Sequence, residues 1–279
     1  MASFSLKNMV TLDYSVLEIL IASIKEKSGF DFSGYTRPSL FRRTEAYLNK
    51  HAMSMQDLFS FVDQGGKGAY DLIQDLTVNY SEMFRDPDFF DLLISEVFTY
   101  LESYTELRFW VAGCASGEEA FSLYILLHEA NLMQRSVIYA TDLSQKVLSV
   151  ARDGVYSKSA MRGFSEKYQL AGGKTSLSDY YRVAYDKAVM NPELRKNIVF
   201  SIHDLTGDGV FNEFQLISCR NVMIYFTLEQ RQKVFKILYE SLAPLGFLCL
   251  GKRETLRYSG IEDRFRVISA SLNIYQKIM

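Results

Sequence analysis

Leu107–Leu123, LRFWVAGCASGEEAFSL, is the stretch on which the fold turns. It reads as a buried strand, then a turn of small residues, then the acidic start of a helix. That arrangement lets backbone come close to a ligand at the carboxyl end of a strand. The turn Gly113–Gly117 is not the GxGxxG of dinucleotide enzymes, because its glycines are four apart and no third follows at the required place. Any α/β protein needs small residues at such a turn, so the turn alone leaves the ligand open.

Working outward, VIYATD puts Asp142 at the end of a second apolar strand. A carboxylate there can hold two ribose hydroxyls, though Asp-Leu-Ser also reads as an ordinary helix cap. A third strand, FQLIS, runs into Cys219-Arg220-Asn221 and then VMIYF. Glu118 and Glu119 favour a helix start through the dipole alone. Read functionally, two carboxylates repel a pyrophosphate and favour a cationic sulfonium, which tilts the expected ligand from NAD to S-adenosylmethionine.

From residue 107 onward, strands are expected at 107–112, 137–141, 198–202, 214–219 and 246–251. Helices are expected at 118–131, 144–152 and 227–243. Strand–helix alternation implies a parallel sheet covered on both faces. Phe265–Met279 reads as two extended runs, an antiparallel pair at the end. Residues 153–197 do not fit one αβ step and read as a small antiparallel insertion.

The first ninety or so residues read as all-helical. Ser15 with Glu18 is expected as a capping box, with Val16, Leu17, Leu20, Ile21 and Ile24 on one apolar face. Ser28-Gly29 ends that helix. Pro38 opens a second, Ser54 a third that Gly65-Gly66 stops, and Ala69, Leu72, Ile73 and Leu76 mark a fourth. Asp86-Pro87 is expected as a cap and first turn of a fifth helix reaching about Leu101. The expected domains are therefore 1–88, helical, and 89–279, with the insertion at 153–197.

The chain has 279 residues, 48% of them apolar and 14% aromatic, ample for a packed core. A net charge of −2 and a pI near 6.0 argue against a nucleic-acid binder. No secretory signal or membrane-spanning run is visible. Cys114, Cys219 and Cys249 follow no spacing pattern and suggest reduced cytosolic thiols. His51, His128 and His203 form no metal motif, so no metal is expected.

The set N-Y-S-E-M-F-R (79–85), G-C-A-S-G-E-E (113–119), A-T-D (140–142), H-D-L (203–205) and C-R-N-V-M-I-Y-F (219–226) carries a resemblance. In that order it resembles the chemotaxis-receptor glutamate methyltransferase (CheR) family, over nearly the whole chain. The resemblance implies a Rossmann-like S-adenosylmethionine-dependent methyltransferase fold, an all-helical N-terminal domain and an inserted three-stranded subdomain. It implies S-adenosylmethionine as donor, S-adenosylhomocysteine as product, and receptor glutamates as acceptors.

By position, Asn79, Ser81 and Arg85 would contact the cofactor from the helical side. Glu119, or its neighbour Glu118, would face the methionyl part, Gly113 would form the turn, and Asp142 would take the ribose. Asp204, Leu205, Asn221 and Val222 would line the adenosine pocket, and Tyr225 with Arg85 would stand nearest the methyl group. The expected setting is cytoplasmic and monomeric, with the helical region of a receptor as partner and no nucleic acid. Arg37, Arg42, Arg43 and Lys50 offer either a face for acidic helices or a solvated charged face.

Ser81 replaces the family's usual threonine, Ala120 its proline, and Gly251-Lys252-Arg253-Glu254 its Gly-His-Ser-Glu. The loop LAGGKTSLSD does not match the version that docks a receptor pentapeptide. Two alternatives stand beside the main reading. One is a methyltransferase with another acceptor, although Asn191-Pro192 does not continue as the Asn/Asp-Pro-Pro-Tyr of nucleic-acid enzymes. The other is a non-catalytic S-adenosylmethionine-binding scaffold.

Overall fold

The structure, a computed structural model, describes residues 11–65, 67–77 and 80–278. The chain divides into two compact units. One runs as far as Asn79 and takes in Tyr225–Gln230; the other comprises Tyr80–Ile224 and Arg231–Met279.

The first unit contains α1 (Tyr14–Ser28), α2 (Arg37–His51), α3 (Met55–Asp63) and α4 (Lys67–Leu76). Leu17, Leu20, Ile21 and Ile24 are buried on α1, which packs against α2, α3 and α4. The N-cap of α1 differs from expectation. Asp13, not Ser15, accepts from the Val16 N–H at 2.8 Å, Ser15 hydroxyl donates to Asp13, and Glu18 pairs with Arg37. A carboxylate two residues earlier reaches the unpaired amides of the first turn and brings a charge that suits the dipole. Ser54 does cap α3, accepting from the Asp57 N–H while the Asp57 carboxylate takes the Ser54 N–H. Gly29 ends α1 at φ 77°, the left-handed conformation glycine adopts without strain. Gly66 lies outside the described residues.

Residues 225–230 join this unit through backbone. Thr36 N–H donates to the Tyr225 carbonyl at 2.8 Å and Thr227 N–H to the Gly34 carbonyl at 2.8 Å. The Phe226 ring meets Tyr35 edge-on at 5.0 Å.

The second unit opens with one helical run, α5 (Pro87–Leu92), a π-helical turn Leu93–Phe98, and α6 (Thr99–Leu101). Asp86 stands at the N-cap position ahead of Pro87, as expected, and its carbonyl accepts from the Phe89 N–H at 2.9 Å, but its side chain does not cap the helix. Asp86 sits at φ 58° with no side-chain cap bond, because its carboxylate is drawn into ion pairs described below. The αβ part then runs β1 (Leu107–Ala112), α7 (Glu118–Glu129), β2 (Ser136–Asp142), α8 (Gln145–Asp153), β3 (Val155–Ser157) and α9 (Lys158–Leu170). It continues with β4 (Tyr181–Ala184), β5 (Lys187–Met190), β6 (Ile198–Ile202), β7 (Phe214–Cys219) and α10 (Leu228–Glu240), whose first residues belong to the other unit. β8 (Leu242–Leu250), β9 (Phe265–Ser269) and β10 (Ile274–Lys277) complete it.

Seven strands form one sheet in the order β6-β2-β1-β7-β8-β10-β9. β6, β2, β1, β7 and β8 are parallel, and β10 runs antiparallel to β8 and β9. The connection order reverses between β1 and β7, so the carboxyl ends of these strands flank a switch-point crevice. β3, β5 and β4 form a separate antiparallel sheet within the predicted insertion. This is the Rossmann-like methyltransferase fold with a small antiparallel insertion. Trp110, Phe109 and Leu216 of the central strands are fully buried, as is Phe121 of α7. Observed strand ends match expectation to within a residue or two, except that β8 begins at Leu242.

Candidate active site

The turn after β1 is set by the backbone of β2. Gly113 and Cys114 N–H groups both donate to the Thr141 carbonyl, at 2.8 and 2.9 Å. Below them the Trp110 indole N–H donates to the Thr141 hydroxyl at 2.8 Å, locking the two strands side by side. Gly113 has φ 74°, and a Cβ placed on it would stand 2.4 Å from Val222 Cγ2. Gly117 has φ 89°, and a Cβ there would meet Ala151 at 2.8 Å. Both glycines are required twice over, by backbone conformation and by close approach.

Asp142 ends β2 with its carboxylate facing this turn. One oxygen accepts from the Ala115 N–H at 2.9 Å, the other from the Ser144 N–H at 2.9 Å. Each oxygen keeps capacity for a further donor. Burial pushes the Asp142 carboxyl above its usual range, against the pull of the Ser144 and Ala115 amides. His203 N–H donates to the Asp142 carbonyl at 3.2 Å, which brings the His203–Leu205 segment to the same strand end. Asp204 itself accepts from Thr206 N–H at 2.8 Å and from its hydroxyl at 2.6 Å, and Leu205 is buried.

The two glutamates of α7 separate in role. Glu118 is buried, accepts from the Ser116 hydroxyl at 2.8 Å and is also bonded by Ser81. Burial raises its carboxyl, and these hydroxyls pull the other way. Glu119 is bound by the Ser218 hydroxyl and by Arg220 at 2.9 Å. Arg220, with its side chain 2% exposed, also reaches Asp86 at 2.8 Å and the Arg85 carbonyl at 2.9 Å, and lies 4.0 Å over the Phe89 ring. Lys252, a residue of the altered GKRE stretch, holds the other Asp86 oxygen at 3.1 Å.

Asn221 takes φ 62°, and the turn it starts is held by a residue given no role from the sequence. The buried Glu254 carboxylate accepts from Asn221, Met223 and Gly251 N–H groups, each at 2.7 Å. Burial raises its carboxyl against those amides. The signal was present: Glu254 is the one residue of Lys252–Glu254 that keeps the resemblance's pattern.

Ser81, Gly113, Glu118, Asp142, Leu205, Asn221 and Val222 thus belong to segments that bonds or contacts join at the carboxyl ends of β1, β2, β6 and β7. Arg85 stands over the Tyr80 ring at 5.8 Å. Asn79 lies outside the described residues. Tyr225 belongs to the first unit, where its ring is 5.5 Å from the Arg43 guanidinium. The basic face of that unit is largely engaged internally. Arg37 pairs with Glu18, Lys50 with Asp75, and Arg43 with the Thr77 carbonyl, while Arg42, Arg43, Tyr47 and Lys50 line a depression of about 390 Å³.

Acidic groups at a helix start, a carboxylate with spare acceptor capacity and a glycine turn fit a cationic nucleoside and disfavour a pyrophosphate. Among the described residues no cluster suits a metal ion, and no helix is long and apolar enough to cross a membrane.

Comparison with known proteins agrees. A Pseudomonas putida protein named Cher3, described provisionally as a methyltransferase, is 39% identical over 94% of this chain and 96% of its own length. A chemotaxis protein methyltransferase of Listeria innocua is 30% identical, covering 84% of this chain and 87% of that one. Chemotaxis protein methyltransferase 1 of Pseudomonas aeruginosa is 29% identical over 79% and 82%. The model of the CheR methyltransferase, SAM binding domain, matches residues 79–274, from the first site motif to the last strand. The chain therefore belongs to the CheR methyltransferase family and is an S-adenosylmethionine-dependent methyltransferase.

Proposed function

We propose that this enzyme methylates glutamate side chains on the helical cytoplasmic region of chemotaxis receptors, acting in the cytoplasm as a monomer. Relatives named chemotaxis protein methyltransferases support the acceptor class. The observation that carries the site is the Asp142 carboxylate, fixed by two amides at the switch point with acceptor capacity to spare.

In this reading Asp142 takes the ribose hydroxyls. Glu118, which hydroxyls bond but no cation neutralises among the described residues, faces the methionyl ammonium. Asp204, Leu205, Asn221 and Val222 line the adenosine pocket, with Gly113 giving Val222 room. Asn79 and Ser81 complete the cofactor contacts. Glu119 supports the site through Arg220 rather than by touching ligand.

S-adenosylmethionine, when bound, would supply an electrophilic methyl group on a sulfonium: an O–CH3 bond to the ionised acceptor oxygen would form as the S–CH3 bond breaks, and its electron pair would stay on sulfur in S-adenosylhomocysteine. A free glutamate titrates near roughly 4.3, so the acceptor is already ionised at neutral pH and needs no general base. Arg85 orients a carboxylate through its planar fork. Tight pairing to the acceptor would quench its nucleophilicity, so Arg85 positions rather than grips. Tyr225 is assigned a hydrogen bond to the acceptor or the wall beside it. The enzyme's contribution is alignment and exclusion of water. The product ester removes a charge from the receptor helix, which changes repulsion among its neighbours.

Calorimetric titration with S-adenosylhomocysteine tests the site, comparing wild type with Asp142→Ala. Micromolar-range binding that the substitution abolishes is expected. Transfer of radiolabelled methyl to receptor fragments, released by base as an ester, tests the acceptor. A folded protein that binds neither cofactor nor product overturns the reading, whereas binding without methyl transfer to any receptor fragment favours the non-catalytic scaffold.

A further inference from the structure

We infer that Lys252 and Arg220 act as positioning residues, sequestering Asp86 so that the adjacent Arg85 stays unneutralised and available to a ligand carboxylate. The inference rests on the proposed role of Arg85 in orienting a carboxylate.

Asp86 follows Arg85 directly and is the acid that the chain places nearest to it. Left alone, it would be the natural partner for Arg85. Instead both its oxygens are committed: Arg220 holds one at 2.8 Å and Lys252 the other at 3.1 Å. The backbone supports this diversion. Asp86 takes φ 58°, an unusual conformation for a residue with a Cβ, and the preceding carbonyl is itself held by Arg220 at 2.9 Å. The charges balance without Arg85, since the two acids Glu119 and Asp86 face the two cations Arg220 and Lys252. Among the described residues the Arg85 guanidinium has only the Tyr80 ring for a partner. A planar fork without an anion is a ready site for a carboxylate, whether of the methionyl group or of the acceptor glutamate.

The four-residue device also gives a reason for the altered Gly251–Glu254 stretch. A lysine at 252 reaches the second oxygen of Asp86, which Arg220 alone does not occupy.

Lys252 is half exposed, so Lys252→Met should fold, whereas loss of the buried Arg220 strands two acids. In Lys252→Met, Asp86 regains a free oxygen and competes for Arg85. Three probes separate the sources of the carboxylate. If it is the cofactor's, S-adenosylhomocysteine binds about threefold to fivefold more weakly, in line with a partly exposed ion pair. Methylthioadenosine, which lacks the carboxylate, is then unchanged. If it is the acceptor's, both ligands bind as in wild type and KM for a receptor fragment rises by a similar factor.

In either case Asp86→Asn added to Lys252→Met restores the wild-type value, because the competing charge is gone. A merely structural role for Lys252 predicts no such rescue. The inference is overturned if Lys252→Met changes none of the three, or if the second substitution deepens the defect. Failure of wild type itself to bind S-adenosylhomocysteine would instead strike the underlying functional reading.

Discussion

Burial raises the Glu118 carboxyl above its ordinary value although Ser116 and Ser81 bond to it. A group whose folded pKa exceeds its unfolded one contributes stability that is complete below the unfolded value and is lost as pH rises through the folded value. Ionised Glu118 therefore strains the fold at neutral pH. Glu118→Gln should raise the thermal midpoint at pH 7, and the difference should vanish as pH falls below the ordinary carboxylate range. The same substitution should weaken binding of S-adenosylmethionine, which brings cationic groups to the site. An unchanged midpoint at pH 7 would show that Glu118 carries no such strain. Glu254→Gln should do the opposite. Serine hydroxyls around Glu118 can rotate to suit an amide, but the three backbone N–H groups facing Glu254 cannot, and an amide nitrogen leaves at least one unpaired. A loss of about 1–3 kcal/mol is expected in denaturant unfolding. Asp142 adds a pH dependence to binding. Its raised carboxyl must be ionised to accept both ribose hydroxyls, so affinity for S-adenosylhomocysteine should fall on acidification at a higher pH than an ordinary aspartate would give. Affinity flat down to pH 4 would speak against the ribose role.

At the scale of elements, the approach of the β1 turn to the segment after β7 sets the crevice. Gly113→Ala meets Val222 at 2.4 Å and also forces an L-residue to φ 74°. The cost should be about 1–3 kcal/mol for the backbone, with a further loss from the clash. Val222→Ala in the same protein should recover only the clash, so a double-mutant cycle should show partial rescue; full rescue would mean that the conformation costs nothing. The glycine turn and the strand ends were legible in the sequence because hydrophobic runs and small residues report local geometry. What hid were partnerships between distant segments. Asp86 reads as a helix cap before a proline, yet Arg220, far along the chain, takes its carboxylate. Ser15 and Glu18 fit a capping pattern, yet Asp13 lies nearer the free amides and Arg37 claims Glu18. Glu254 follows two altered residues, and only the fold places it under the Asn221 turn. In each case a charged group satisfied a long-range partner instead of the local rule.

At the scale of the molecule, the chain leaves the second unit after Ile224, contributes Tyr225–Gln230 to the first, and returns within α10. The first unit holds this passage through two backbone bonds and the buried ring of Phe226, which is 3% exposed. Stability of the first unit is therefore tied covalently to Met223 and Ile224, whose backbone turn Glu254 fixes in the second. The single tryptophan, Trp110, is buried in β1 and reports the second unit alone. Far-UV circular dichroism reports both units. Phe226→Ala removes a buried ring from the first unit, a loss of about 3–5 kcal/mol. If the shared segment couples the units, the Trp110 fluorescence midpoint should move down together with the dichroism midpoint, and the two curves should stay coincident. A fluorescence curve that stays where it was while dichroism shows an earlier transition would mean that the units unfold independently. The passage through Tyr225–Gln230 would then be only a linker. Coincident movement would instead place the segment from Asn221 to Gln230 in one cooperative structure, so that a change in the first unit alters the turn carrying Asn221 and Val222.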